Sequence, residues 1–212
     1  GNSNCTINKK LSVLSKACQF GFRRGWLKTK PTIEWLKEGK GRIRFVSEDE
    51  ERQMWALFRQ MGMRDELDTF MFLIDTGMRV GELHNVQLGD LNGDRLTIWK
   101  TKNGQPRTVV LTHRAKEIFL RRNGDLSMTP HKVRYSWDRM KCAMGLEHDK
   151  QFVPHCLRHT CASRLVQRGI PLLVVKEWLG HNDIKMTLRY SHLCPTNLED
   201  AVKVLEPRNN VT

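Results

Sequence analysis

Tyrosine is nearly absent from this sequence: Tyr135 and Tyr190 are the only phenols among 212 residues. Any chemistry on a phenol must therefore fall on one of two positions. Close-set cysteines are missing too. Cys5, Cys18, Cys142, Cys156, Cys161 and Cys194 include no Cys-x-x-Cys pair, which removes the compact zinc and dithiol motifs. Their spacing in a chain this long argues against a disulfide framework and fits reduced thiols. No apolar run approaches the ~20 residues a membrane helix needs, and no secretory signal pattern opens the sequence. Internal repeats and low-complexity tracts are lacking. Acidic residues are in short supply, 23 against 36 Lys and Arg, a net charge of +13 and a pI near 9.8. A balance so basic favours a polyanionic partner, and nucleic acid is the first choice.

The excess charge is uneven. Residues 1–46 hold eleven Lys or Arg against two Glu, a net of +9. Within them, Asn4 to about Gly25 reads as a helix, with Ile7, Leu11, Leu14, Ala17 and Cys18 near helical spacing. Lys9, Lys10, Lys16, Arg23 and Arg24 take the other side, as a helix lying along phosphates requires. Trp26 to Gly41, with Pro31, Gly39 and Gly41, reads as a linker. Hydrophobic residues make up 39 % of the chain, enough for a real core at this length.

A second unit is expected from Arg42. Arg42–Val46 alternates like a short strand. Ser47 with Glu50 three residues on is a capping box, predicting a helix to about Met61. Another helix is expected over Arg64–Asp75, stopped at Gly77. A short helix over Val80–Val86 places Arg79 at its start, where backbone N–H groups favour an anion. Residues 94–99 and 107–111 read as antiparallel strands with Lys102-Asn103-Gly104 between them, and Asn-Gly is a hairpin signal. Helices follow over 113–122, 130–143, 155–168, 172–179, 183–189 and 196–205. The expected fold class is α+β, mostly α-helical with a small antiparallel sheet.

His155, Arg158 and His159 stand at i, i+3 and i+4, on much the same side of a helix. Guanidinium grips two phosphate oxygens at once, and imidazole moves a proton. The pair His155 and His159 is also half of a metal site, but Cys156 stands where the metalloprotease pattern needs Glu. Tyr190 follows His181 by nine residues. A phenol with pKa near ~10 is a weak nucleophile without nearby cations and a proton acceptor. Tyr135, beside Val133 and Trp137, reads as packing.

Taken together, these segments resemble the catalytic domain of tyrosine recombinases, the phage integrase family. The resemblance covers residues 43–206. Arg79 in Thr-Gly-Met-Arg-Val-Gly-Glu-Leu matches the first arginine. Lys102 in Thr-Lys-Asn-Gly matches the hairpin lysine, with Lys100 as the alternative. His155 and Arg158 match His-x-x-Arg, and His181 in Leu-Gly-His and Tyr190 match the last two. The resemblance implies a site-specific recombinase acting on double-stranded DNA without metal or other cofactor. Tyr190 would be the nucleophile, Arg79 and Arg158 the phosphate clamp, His155 the general base and Lys102 the general acid. His181 would bond the phosphate, and Glu82 would orient Arg79. It further implies a homotetramer on paired sites, accessory DNA-bending or directionality proteins, and the cytoplasm of a bacterial host. Residues 1–41 resemble the last helix and linker of the core-binding domain, with 42–212 the catalytic domain, so the sequence is expected to be part of a longer integrase. Two rivals share the features: a type IB topoisomerase-like relaxing enzyme, and a non-catalytic DNA-binding protein on the same fold.

Overall fold

The computed structural model describes residues 2–37, 39, 43–101 and 104–195. The chain divides into two compact units, Gly1–Arg42 and Ile43–Thr212.

In the first unit, helix α1 spans Asn4–Arg23 and is capped by the Ser3 side chain on the Thr6 N–H. The segment that follows is more than a linker. Asn8 donates to the Leu36 carbonyl at 2.8 Å and accepts from the Leu36 N–H at 3.0 Å, and Asn4 donates to the Lys37 carbonyl. Two asparagines one helical turn apart thus pin the returning chain along α1, each satisfying backbone groups that an isolated extended segment leaves to water. Lys9, Lys10, Lys16, Arg23 and Arg24 are all exposed.

The second unit opens without the expected strand. Residues 43–46 join no sheet, because Arg44 is engaged sideways with Glu50 and Asp149, and Val46 N–H donates to the Thr160 hydroxyl. Arg42 lies outside the described residues. The capping box at Ser47 and Glu50 forms as the sequence predicts and starts α2 (Glu48–Gln60). Helix α3 (Arg64–Thr76) buries eight of its thirteen residues and ends at Gly77 in the left-handed region, φ 65°. Two 3-10 turns follow, Val80–Asn85 and Leu88–Asp90.

Strands β1 (Leu91–Asn92), β2 (Arg95–Ile98) and β3 (Arg107–Val110) form one antiparallel sheet in sequence order. The ladder between β2 and β3 closes at Ile98 opposite Arg107. The connection is therefore eight residues, 99–106, one longer than the 100–106 left between the expected strands. Lys102 and Asn103 fall outside the described residues. Helices α4 (His113–Arg121), α5 (Pro130–Ala143), α6 (His155–Gln167), α7 (Leu172–Leu179) and α8 (Lys185–Leu188) complete the unit, with a 3-10 turn at Ser191–Leu193. The helix expected over 196–205 lies outside the described residues.

The main core gathers Phe58, Phe70, Phe72, Phe119, Trp137 and Phe152. A smaller core holds Ala162, Val166, Val175, Leu179 and Tyr190. This second cluster docks the α7–α8 segment onto α6, so the C-terminal elements carry Tyr190 to the helix that bears His155, Arg158 and His159.

Candidate active site

Arg158 is the pivot of the site. It is 3 % exposed, with no carboxylate among its hydrogen-bond partners in the described residues. Among the described residues its partners are carbonyls instead: Nη1 donates to the Gly77 carbonyl at 2.7 Å and Nη2 to the Leu179 carbonyl at 2.5 Å. These carbonyls belong to the C-terminal ends of α3 and α7, where the helix dipole favours a cation. Burial lowers the Arg158 pKa to about 9, and Arg79 and Arg107 push the same way. Trp178 Nε1 adds a bond to the Thr76 carbonyl at 2.9 Å. The ends of α3 and α7 are thus fastened to each other and to α6.

Two residues beyond Gly77 stands Arg79. Its Nη1 donates to Glu82 Oε1 at 2.8 Å, and its backbone N–H donates to Glu82 Oε2 at 2.8 Å. Glu82 is 3 % exposed and also accepts from Arg107, Nη1 to Oε1 at 2.9 Å and Nη2 to Oε2 at 2.7 Å. Burial alone would raise the Glu82 pKa, but the paired Arg107 and Arg79 bonds overcome it and hold the carboxyl at about 2. Arg107 further donates through Nε to the Trp178 carbonyl at 3.2 Å.

Arg107 is the site residue that the sequence reading passes over. Alternation along β3 offers the signal: Arg107 and Val109 share the buried face of the strand while Thr108 and Val110 face outward. A charge on a core-facing position demands a buried counter-charge.

Gly180 ends α7 at φ 64°. A Cβ there would lie 2.7 Å from Arg107 Cδ, so the bare backbone admits the arginine stem. His181 follows, 8 % exposed, its Nδ1 2.8 Å from the Thr187 hydroxyl. Burial, then Arg158, Arg79 and Arg107, lowers the His181 pKa to about 4. A groove of about 780 Å³ opens beside this corner, lined in part by Arg107, Gly180 and His181.

Tyr190 is 2 % exposed, and its hydroxyl lies 2.6 Å from His159 Nδ1. Burial raises its pKa to about 12, with Arg189 and Arg158 pulling the other way. His159 is half-buried and packs against His155 edge-on, ring centres 4.7 Å apart. His155 is itself exposed. Crowding on its inner side, followed by Arg158, Arg79 and Arg189, still lowers its pKa.

The structure therefore brings Arg79, Glu82, His155, Arg158, His181 and Tyr190 into one electrostatically coupled cluster. Lys102 cannot be added, since it lies outside the described residues. Lys100, its alternative, is exposed.

Residues 44–196 match the phage integrase family. The chain belongs to that family. Among relatives, the integrase of Haemophilus phage HP1 is 28 % identical over 185 residues, 85 % of this chain and 53 % of that protein. The integrase of Escherichia phage 186 is 36 % identical over 138 residues, 65 % of this chain and 40 % of that protein. The chain spans about half the length of these relatives. The catalytic domain of bacteriophage HP1 integrase superposes with a TM-score of 0.62 at 27 % identity, over 81 % of this chain and 99 % of that one. The Tn1549 transposon integrase, solved in complex with transposon right-end DNA, gives a TM-score of 0.77 at 18 % identity, covering 97 % of this chain and 79 % of that one. That second likeness is one of fold. The mostly helical architecture with a small antiparallel sheet is that of the tyrosine recombinase catalytic domain. Among the described residues, no helix is long and apolar enough to cross a membrane.

Proposed function

We propose that this chain carries the strand-cleaving and strand-joining centre of a site-specific DNA recombinase. Arg79, Arg158 and His181 surround the place where a phosphodiester enters, and Tyr190 supplies the nucleophile. Attack of the Tyr190 hydroxyl oxygen on phosphorus forms a 3′-phosphotyrosine, and the bond to the 5′-oxygen breaks. The phosphodiester energy is retained in the new linkage, so a 5′-hydroxyl from another strand reverses the step. Arg79 and Arg158 stabilise charge on the non-bridging oxygens as it builds, a role in which losing one donor costs ~100- to 1000-fold. Glu82 fixes the Arg79 fork. The family resemblance gives the base to His155 and the acid to Lys102.

The observation that carries this reading is that Arg79, Arg158 and His181 cluster together, with Arg158 on the helix that also holds the buried Tyr190 through His159, inside the segment that matches the family. Relatives named integrase and tyrosine recombinase favour strand exchange over relaxation alone. The DNA complex of the Tn1549 integrase supports double-stranded DNA as the partner. In the same reading residues 1–41 serve as the last helix and linker of a core-binding domain, and the working assembly is a homotetramer on paired sites, with accessory DNA-bending or directionality proteins, in a bacterial host's cytoplasm.

The test is covalent capture on a pool of nicked duplexes under denaturing conditions. Wild type is expected to yield a protein–DNA adduct, and Tyr190→Phe to bind the same DNA without one. An adduct formed by the Phe variant would exclude Tyr190 as the nucleophile.

A further inference from the structure

His159 lies outside the six positions of the family pattern, which ends its His-x-x-Arg element at Arg158. Yet it is the side chain in contact with the Tyr190 hydroxyl, Nδ1 to oxygen at 2.6 Å. Among the described residues that hydroxyl has no other hydrogen-bond partner. His155 stacks edge-on against His159 and makes no hydrogen bond to Tyr190. We infer that His159, rather than His155, takes the proton from Tyr190 during DNA cleavage. The inference rests on Tyr190 being the nucleophile.

The direction of the hydrogen bond follows from the state of the two groups. Burial, then His155, Arg189, Arg158 and His181, draws the His159 pKa down to about 3, so the ring is neutral at neutral pH. Tyr190, its pKa raised to about 12 by burial, is a neutral phenol. A neutral imidazole carries one proton and one lone pair. If Nδ1 carried the proton and donated it, the hydroxyl proton of a buried phenol would have no partner, an arrangement that folded proteins avoid. The ring proton therefore belongs on Nε2, and Nδ1 presents its lone pair to the hydroxyl. The acceptor is already in place, within the distance a general base requires.

The gap in basicity narrows as the reaction proceeds. Cations lower the His159 pKa, and an incoming phosphodiester carries the charge that offsets them. As the bond from the Tyr190 oxygen to phosphorus forms, that oxygen holds its proton less tightly. In the full step the tyrosine O–H bond breaks and an Nδ1–H bond forms. The oxygen–phosphorus bond forms as the bond to the 5′-oxygen breaks, and the 5′-oxygen takes a proton from the general acid, Lys102 in the family pattern. On rejoining, His159 returns its proton to the departing Tyr190 oxygen.

His159→Asn and His159→Ala separate this role from simple packing. Asparagine keeps an acceptor near the Nδ1 position and can still hold the phenol, but it cannot take a proton at neutral pH. Adduct formation is followed in single turnover on the nicked duplex pool, with noncovalent DNA affinity and the melting temperature measured alongside. The expected result is adduct formation about 100-fold slower or worse in both variants, near-normal affinity and melting in the Asn variant, and partial recovery of the Ala variant by added imidazole. A His159→Asn rate equal to wild type, or a faster His159→Ala, overturns the assignment while leaving Tyr190 as nucleophile intact. Failure of wild type to form any adduct through Tyr190 overturns the reading of the site and this assignment with it.

Discussion

Glu82, His159 and His181 make the site sensitive to acid in two overlapping windows. Each histidine has a folded pKa below its ordinary value near 6.5, about 3 for His159 and about 4 for His181. Between those values the unfolded chain binds more protons than the folded one, so stability falls as pH drops below about 6.5. Glu82 has a depressed carboxyl, about 2 against an ordinary 4.5. Its contribution is present above 4.5 and is lost as pH falls toward 2, a loss on the order of 3 kcal/mol. Urea midpoints measured from pH 8 to 3 should show a first decline beginning near pH 6.5. His159→Asn should make that first decline shallower, and a decline of unchanged steepness would contradict the account. At this scale the sequence displayed most of the site. The Arg79, His155, Arg158, His181 and Tyr190 positions were readable because each sits in a motif of distinctive residue types. Arg107 was hidden because its role depends on which face of β3 meets the core; His159 was legible on the helix face it shares with His155 and Arg158, but its link to Tyr190 was not, because it joins residues 31 apart in the chain.

Among the elements, the ends of α3 and α7 matter more than their middles. Gly77 and Gly180 both end a helix in the left-handed region, and the carbonyls at those ends hold Arg158. At Gly180 an added methyl meets Arg107 Cδ at 2.7 Å, and Arg107 cannot swing away without leaving Glu82. Gly180→Ala should therefore cost roughly 1–3 kcal/mol in stability, from the backbone conformation and the crowding together. It should also slow adduct formation at saturating DNA, because the displaced Arg107 frees Glu82 and, through it, Arg79. A variant as stable and as fast as wild type would refute the link from Gly180 to Arg79. Sequence patterns placed these helices and the Gly77 stop well, since caps and periodicity are local. They failed at residues 43–46, where alternation suggested a strand but lateral bonds from Arg44 and Val46 took the backbone elsewhere. They also shortened the β2–β3 connection, whose length is set by where the Ile98–Arg107 pairing closes. β1, two residues long, was too short to register.

For the whole molecule, charge placement is the dominant feature. The first 46 residues carry +9 of the net +13, and the exposed Lys9, Lys10, Lys16, Arg23 and Arg24 line α1. If these cations lie along DNA phosphates, each neutralised phosphate contributes about 0.9 to the slope of log affinity against log salt. Changing all five to Gln should weaken DNA binding and flatten that slope by several units in a titration across salt concentrations, with the melting temperature little changed. An unaltered slope would place the DNA elsewhere. The central claim is that Tyr190 becomes joined to a DNA 3′-phosphate. Its most direct test is to digest the trapped adduct and identify the modified peptide by mass spectrometry, while labelling the released DNA end with a kinase. The account predicts a nucleotide on Tyr190 and a 5′-hydroxyl that accepts label without prior phosphatase treatment. A nucleotide on any other residue, or a 5′-end that carries phosphate, would contradict it.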